Sequence, residues 1–162
     1  SKSEFFYTIL PFEIKLNNNL MSKLKFYELK KLKNLENLDL SFNKLERGEH
    51  DMIYSLNRLK VLYLNNNKLN FLSSDIFKNL IKLKIVNLSS NFIEYIQNDL
   101  FKNFISLEIL DLSNNLLFSI DEFSFSNLNL LEILRLDLNS NLIHLKSNTL
   151  IGLNKIKLIV ID

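Results

Sequence analysis

The chain has 162 residues, a formal net charge of +2 and 47% hydrophobic residues, which suits one packed domain and excludes a disordered chain. It has no cysteine and only two histidines, so a disulfide-stapled miniprotein is excluded and a structural zinc site is not expected. The small charge surplus and the lack of a long apolar run favour neither a nucleic-acid binder nor a membrane span.

Two residue types dominate the chain, with 36 leucines and 24 asparagines against two glycines, one proline and no alanine. A helical bundle without alanine would be unusual, because alanine is the best helix former. Asparagine can replace glycine in turns, since it tolerates the left-handed backbone and forms local hydrogen bonds. The composition therefore predicts a fold with many turns and little helix.

A motif of the form leucine-x-x-leucine-x-leucine-x-x-asparagine-x-leucine recurs every 24 residues. On a helix, leucines at this spacing would not stay on one face. The pattern therefore predicts a short strand with two inward residues, followed by an asparagine turn. The four regular copies are Leu35, Leu38, Leu40, Asn43, Leu45; Leu59, Leu62, Leu64, Asn67, Leu69; Leu83, Val86, Leu88, Asn91, Ile93; and Leu107, Leu110, Leu112, Asn115, Leu117.

The first and last copies are irregular. Ile14, Leu16, Asn19 and Met21 form a degenerate first copy, and Leu153, Ile156, Ile159 and Ile161 form a partial last one. The sixth copy fits as Ile133, Leu136, Leu138, Asn141 and Ile143 if two residues are inserted near 129–130. Asn139 would keep the strict period, but Asn141 would then occupy an apolar position, so we predict the insertion.

These copies predict one domain over residues 1–162. Its length is not a whole number of repeats, so we expect a section of a longer array. The repeats span roughly 8–31, 32–55, 56–79, 80–103, 104–127, 128–152 and, in part, 153–162.

Two further columns share the 24-residue period. The turn asparagines predict a ladder that bonds backbone groups of adjacent turns, and it comprises Asn19, Asn43, Asn67, Asn91, Asn115 and Asn141. The second half of each repeat predicts a buried spine of large apolar residues, which comprises Leu29, Ile53, Phe77, Phe101 and Phe125.

With these columns the chain resembles the leucine-rich repeat family, in its 24-residue "typical" subclass, including the ectodomain repeats of Toll-like receptors and related cell-surface receptors. The resemblance implies an α/β solenoid of horseshoe form. A parallel β-sheet would line the concave side, and loops and short helical turns the convex side. It also implies a signal-transducing receptor at the cell surface or outside the cell.

Outward strand positions are the candidate ligand-binding surface, because strand side chains alternate between core and solvent. Tyrosines and apolar strips are common at protein interfaces, although branched apolar residues here can also be packing. The candidates are Asp39, Phe42, Val61, Tyr63, Ile85, Asn87, Ile109, Asp111, Arg135 and Asp137. Asn87-Leu88-Ser89 is also a glycosylation sequon, which either carries a glycan or is only what the repeat places there.

No catalytic motif, metal-ligand spacing or cofactor loop occurs in the sequence. We therefore expect a non-enzymatic binding module with no cofactor and no metal. Its expected partner is a protein ligand or co-receptor on the concave face, rather than a nucleic acid. The alternative is a cytoplasmic scaffold or regulatory subunit.

Overall fold

The computed structural model describes residues 11–23, 29, 31–48, 53 and 55–161, which stack as successive turns of a solenoid. One strand from each turn joins a seven-stranded parallel sheet. In spatial order these strands are β1 (Glu13–Lys15), β2 (Asn37–Asp39), β4 (Val61–Tyr63), β6 (Ile85–Asn87), β8 (Ile109–Asp111), β10 (Ile133–Arg135) and β11 (Leu158–Val160).

Two smaller parallel sheets lie after the asparagine turns. They pair β3 (Arg47–Gly48) with β5 (Phe71–Leu72), and β7 (Tyr95–Ile96) with β9 (Ser119–Ile120). Where the structure describes the return segments from residue 73 onward, they are turns, apart from a 3₁₀ helix at Ser74–Phe77 that Ser73 caps. The solenoid with its concave parallel sheet is thus confirmed, with little helix on the convex side. Within the described residues, no helix has the length and apolar character needed to cross a bilayer.

Residue spacing across the large sheet shows where the repeat is irregular. Ile109 pairs with Ile133, a step of 24, whereas Ile133 pairs with Leu158, a step of 25. The extra residue lies just after Asn139, because Leu142 and Leu145 pack on the core 25 residues after Leu117 and Ile120.

The predicted two-residue insertion near 129–130 is therefore wrong. Leu134 and Leu136 are the buried pair of the sixth strand, whereas Leu138 is 62% exposed and Ile143 is 78% exposed. The sixth repeat keeps strict register up to Asn139, and one residue inserted in the following turn restores apolar packing at Leu142.

The core consists of the inward leucine columns together with the predicted spine. Leu29, Ile53, Phe77, Phe101 and Phe125 are all buried. Phe101 stacks on Phe125 with ring centroids 6.1 Å apart and on Phe104 at 5.6 Å. Offset aromatic pairs of this kind add stability beyond the area that they bury.

The asparagine ladder joins each turn to the preceding one. Asn91 illustrates the geometry: its Nδ2 donates to Leu64 O and Leu88 O at 3.0 Å, and its Oδ1 accepts from Leu69 N–H at 3.0 Å. Four other asparagines make the same set of bonds: Asn43, Asn67, Asn115 and Asn139. Asn19 is exposed, and its Nδ2 donates to carbonyls of its own turn, Leu16 O and Asn17 O.

Asn141 is not the sixth member of this ladder; the position belongs to Asn139. Asn139 Nδ2 donates to Leu112 O at 3.0 Å, and Asn139 Oδ1 accepts from Leu117 N–H at 3.2 Å. Asn139 is buried, whereas Asn141 is exposed.

The residue before each ladder asparagine has a left-handed backbone. This conformation turns the chain out of the strand, and it is costly for residues other than glycine and asparagine. The column has φ between 52° and 59° and contains Asn18, Phe42, Asn66, Ser90, Asn114 and Leu138. Its period of 24 continues through Leu138, which independently places Asn139 in the ladder.

Candidate functional site on the concave sheet

The first outward column of the sheet is a nearly continuous apolar strip. Val61, Ile85, Ile109 and Ile133 lie side by side in register and are half-buried, and Leu158 continues the row and is exposed. Neighbouring strands are about 4.8 Å apart, so the strip runs roughly 19 Å along the solenoid. Ile133 was missed as a surface residue because the predicted alignment of the sixth repeat gave it an inward position.

The second outward column is polar and more varied. Asp39, Tyr63, Asn87, Asp111 and Arg135 are adjacent in consecutive strands. Arg135 therefore lies in this second outward column, next to Asp111. Tyr63 is exposed between Asp39 and Asn87.

Three members of this column bind the residue two positions further on. Asp39 Oδ1 accepts from both N–H and Oγ of Ser41, at 2.9 and 2.6 Å. Asn87 makes the same pair of bonds with Ser89, and Asp111 with Ser113. One acceptor oxygen of each residue is thus used to close the turn, which is a local structural task.

This motif also explains the sequon. Asn87-Leu88-Ser89 occupies the place that Asp-Leu-Ser occupies in two other repeats, and its side chains make the same bonds. The geometry therefore supports the interpretation in which the repeat itself places asparagine and serine there.

Arg135 forms the charged centre at one end of the face. Its Nη2 and Nε donate to the two carboxylate oxygens of Asp137 at 2.9 and 3.2 Å, and its Nη1 lies 4.0 Å from Asp111 Oδ2. The hydrogen bonds to Asp137, and then the negative charges of Asp111 and Asp137, raise the pKa of Arg135 above its usual value. Asp137 was predicted as a surface residue, but it is buried after the strand and supports Arg135.

A row of compensated charges borders the strip. Lys60 Nζ lies 2.7 Å from Glu36, and Lys84 Nζ lies 2.7 Å from Glu108. A third pair, Lys157 with Glu132, is separated by 2.8 Å. Each pair joins adjacent repeats, so the side chains are held along the solenoid and their charges cancel locally.

The predicted surface residues thus fall into three groups. Val61, Ile85, Ile109 and Tyr63 form one contiguous apolar area. Asp39, Asn87, Asp111, Arg135 and Asp137 are tied into local bonds beside that area. Phe42 is half-exposed in the left-handed turn after the second strand, at the rim of the face. No group of three or more potential metal-ligating side chains occurs among the residues that the structure describes.

Comparison with known proteins identifies the repeat. A family model described as leucine rich repeat matches residues 33–91, 57–117 and 81–143, which together cover more than half of the chain. The chain belongs to the leucine-rich repeat family. No curated protein matches this leucine-rich repeat chain significantly.

Solved leucine-rich repeat structures share the fold. The structure of a TLR13–ssRNA13 complex aligns over 93% of this chain with a TM-score of 0.83 and 28% identity. The APL1 leucine-rich repeat domain aligns over 78% with a TM-score of 0.73 and 27% identity, and that of APL1B over 77% with 0.70 and 23%. The alignments span only 21%, 33% and 36% of those longer chains. The expected likeness to Toll-like receptor ectodomains is confirmed.

Proposed function

We propose that this leucine-rich repeat domain is a non-catalytic binding module that recognises a protein ligand or co-receptor on its concave face, as part of a cell-surface or secreted receptor. The apolar strip of Val61, Ile85, Ile109 and Ile133 with Tyr63 beside it supports this proposal most directly. Protein-binding surfaces usually contain exposed tyrosine side chains and apolar area, surrounded by polar side chains.

The charges of the face favour a protein over a nucleic acid. TLR13 was crystallised with a single-stranded RNA, so RNA is the natural competing ligand. Nucleic-acid affinity comes mainly from uncompensated basic residues that replace counterions on phosphates. On the described part of this face, however, the basic residues in the second outward column and beside the strip are each paired with a carboxylate. These residues are Lys15, Lys60, Lys84, Arg135 and Lys157.

Photo-crosslinking tests the ligand class. In one variant the photoreactive residue p-benzoylphenylalanine replaces Tyr63. In a matched control it replaces Ile105, which is 53% exposed and lies away from the strand columns. In cells that carry the complete gene, Tyr63 should give a discrete, protease-sensitive adduct that Ile105 does not give. Adding Ile109→Asp should reduce that adduct at least tenfold, because it places a charge in the strip.

Two outcomes would refute the proposed ligand. One is an adduct at Tyr63 that ribonuclease removes and protease does not, which would make RNA the ligand. The other is an identical adduct pattern from Tyr63 and Ile105, which would show that the concave face has no special role.

The cellular location needs a separate measurement. A membrane-impermeant biotin reagent applied to intact cells should label the full-length gene product if it is a surface receptor. Labelling only after the cells are permeabilised would refute this location and support the intracellular scaffold.

A further inference from the structure

The turns that lead into the strands of the large sheet carry a row of exposed basic residues. Leu59 N–H donates to Leu56 O at 2.9 Å in one such turn. In the next turn Leu83 N–H donates to Leu80 O at 3.2 Å. These four leucines are buried, and the two central residues of each turn are exposed. Three consecutive turns each have one exposed basic residue in their centre, and we call these residues the basic row: Lys33, Arg58 and Lys82.

The fold holds the basic row at the spacing of the strands. Lys60 N–H donates to Glu36 O at 2.7 Å, and Lys84 N–H donates to Lys60 O at 2.8 Å, directly after the turns. Neighbouring strands are about 4.8 Å apart, so the row extends over about 10 Å. Arg58 Nη1 also donates to Asn34 Oδ1 of the preceding turn at 3.3 Å. The like charges are therefore kept close by turns anchored in the core, and a bound anion would relieve their repulsion.

The positive charge is concentrated in two of these segments. Residues 55–60 and 78–84 contain five basic residues and no acidic one, although the whole chain has a net charge of only +2. Lys60 and Lys84 are already paired with glutamates. The only acid between the two segments, Asp75, lies at the start of the 3₁₀ helix. In the part of the chain that the structure describes, the other three basic residues make no ion pair: Arg58, Lys78 and Lys82.

A groove lies between the second and third turns of the row. Its volume is about 460 Å³, which is within the range of roughly 300–1,000 Å³ that is usual for ligand sites. The groove is lined by Ser55, Asn57, Arg58, Asn79, Ile81 and Lys82, with no carboxylate among them. The hydroxyl and amide groups can bond to ligand hydroxyls, and the two basic side chains can bond to anionic groups. This lining suits a ligand that carries both hydroxyl groups and negative charges.

We propose that the groove and the basic row bind a sulfated polysaccharide. Sulfate groups contact Arg58 and Lys82, with Lys33 reached by a further sulfate along the chain, and sugar hydroxyls contact Ser55 and Asn57. A linear ligand with repeated negative charges fits a row of cations over about 10 Å better than a single anion does. The site lies outside the concave sheet, so this proposal is independent of the proposed function.

The lining favours a polysaccharide over two other anionic partners. Single-stranded nucleic acids usually stack their bases on aromatic side chains, and no aromatic residue lines the groove. Membrane surfaces take up several apolar or aromatic side chains, whereas Ile81 is the one apolar residue of the lining.

Fluorescence anisotropy with a labelled heparin oligosaccharide tests the ligand class. The natural chain should bind the sulfated oligosaccharide at least tenfold more tightly than a desulfated one of the same length. Equal binding of the two, or no binding of either, would overturn the proposal. Tighter binding of a single-stranded RNA of equal charge, or of vesicles rich in phosphatidylserine, would also overturn it.

Paired substitutions test the position of the site. Arg58→Ser with Lys82→Ser should raise the dissociation constant for the heparin oligosaccharide at least tenfold. Serine suits this turn, because Ser106 occupies the equivalent place in the fifth repeat. The matched control, Lys44→Ser with Lys68→Ser, removes the same charge from exposed positions after the asparagine ladder and should change the constant less than twofold. Equal losses in the two double variants would overturn the proposal, because they would show that only net charge matters.

Two further measurements isolate the cause. Unchanged urea midpoints in both double variants would support loss of contacts, and not unfolding, as the reason for weaker binding. Ile109→Asp should leave heparin affinity unchanged, and the Arg58 and Lys82 substitutions should leave the Tyr63 adduct unchanged. Failure of this proposal is thereby distinguished from failure of the proposed function. Loss of heparin affinity in Ile109→Asp would overturn the placement of the site outside the concave sheet.

Discussion

The asparagine ladder makes a quantitative prediction about a single side chain. In Asn91→Ala, Leu64 O keeps the bond from Asn67 Nδ2 and Leu88 O keeps the bond from Asn115 Nδ2. The carbonyls therefore stay paired, and the orphaned group is the buried N–H of Leu69, which donates to Asn91 Oδ1 in the natural chain. An unpaired buried amide costs about 1–3 kcal/mol, so we expect a loss of about 2 kcal/mol in the free energy of unfolding.

The same geometry predicts which ladder positions are coupled. Asn91 and Asn115 share Leu88 O, so replacing both with alanine removes both side-chain donors to that carbonyl. The double variant should lose about 1 kcal/mol more than the sum of the two single variants. Asn43 and Asn115 bond to different carbonyls, so their effects should add.

Urea denaturation followed by far-UV circular dichroism measures these differences, with the slope checked to show that the transition stays cooperative. Asn139→Ala should resemble Asn91→Ala, whereas the exposed Asn141→Ala should stay within about 0.5 kcal/mol of the natural chain. If Asn91→Ala unfolds at the same urea concentration as the natural chain, or if Asn141→Ala is the more damaging of the pair, the reasoning fails.

Three further predictions concern single positions. Leu138→Asn should stabilise the chain by about 1 kcal/mol in the same urea assay, because asparagine tolerates the left-handed backbone that Leu138 adopts, and an unchanged midpoint would contradict this. Phe101→Ala should cost about 3–5 kcal/mol since the ring is fully buried in the spine, while the exposed Phe118→Ala should cost under about 1 kcal/mol; similar losses would show that the spine is not the core. The Tyr95 hydroxyl donates to Asp121, and this hydrogen bond raises the pKa of Tyr95 above its ordinary value. The contribution of the bond to stability is therefore complete below pH 10 and is lost as the pH rises through the pKa of Tyr95 in the folded chain. Spectrophotometric titration at 295 nm should therefore lose a component above the ordinary tyrosine range in Tyr95→Phe, and a titration curve reduced uniformly at all pH values would contradict the assignment.

The regular repeats could be predicted because their chemistry is unambiguous. From Leu35 to Leu117 each inward position is apolar and each ladder position is asparagine, so periodicity alone gives the strand, the turn and the packing. The sixth repeat was ambiguous. Leu136, Leu138, Asn139 and Asn141 offer two alignments, and hydrophobicity favours the one that the structure does not adopt.

The backbone conformation of Leu138 resolves that ambiguity, and the pattern of apolar residues in the sequence does not reveal this conformation. Leu138 lies in a left-handed column where asparagine would be expected, so its apolar side chain points outward and resembles a core residue in the sequence. One signal was available: Asn139 is 24 residues after Asn115, as each earlier ladder asparagine is from its neighbour.

The surface was only partly predictable for a different reason. Strand alternation indicates which side chains point outward, but not which are already occupied by neighbours such as Ser41 and Ser113. Exposed aromatic residues after the ladder were missed because they follow no motif: Phe92 and Tyr95 occupy positions where an earlier repeat has Lys44 and Arg47. Comparing such variable positions across repeats would have revealed the aromatic cluster.

The ladder bonds also make the two ends of a shortened solenoid chemically different. Leu69 N–H bonds to the asparagine of the following repeat, whereas Leu64 O also has a partner in its own repeat. Separating two neighbouring repeats therefore leaves a buried amide without its acceptor on the earlier repeat, and frees an asparagine side chain that can rotate toward water on the later repeat. An end exposed by removing later repeats would carry the unpaired amide, whereas an end exposed by removing earlier repeats would not.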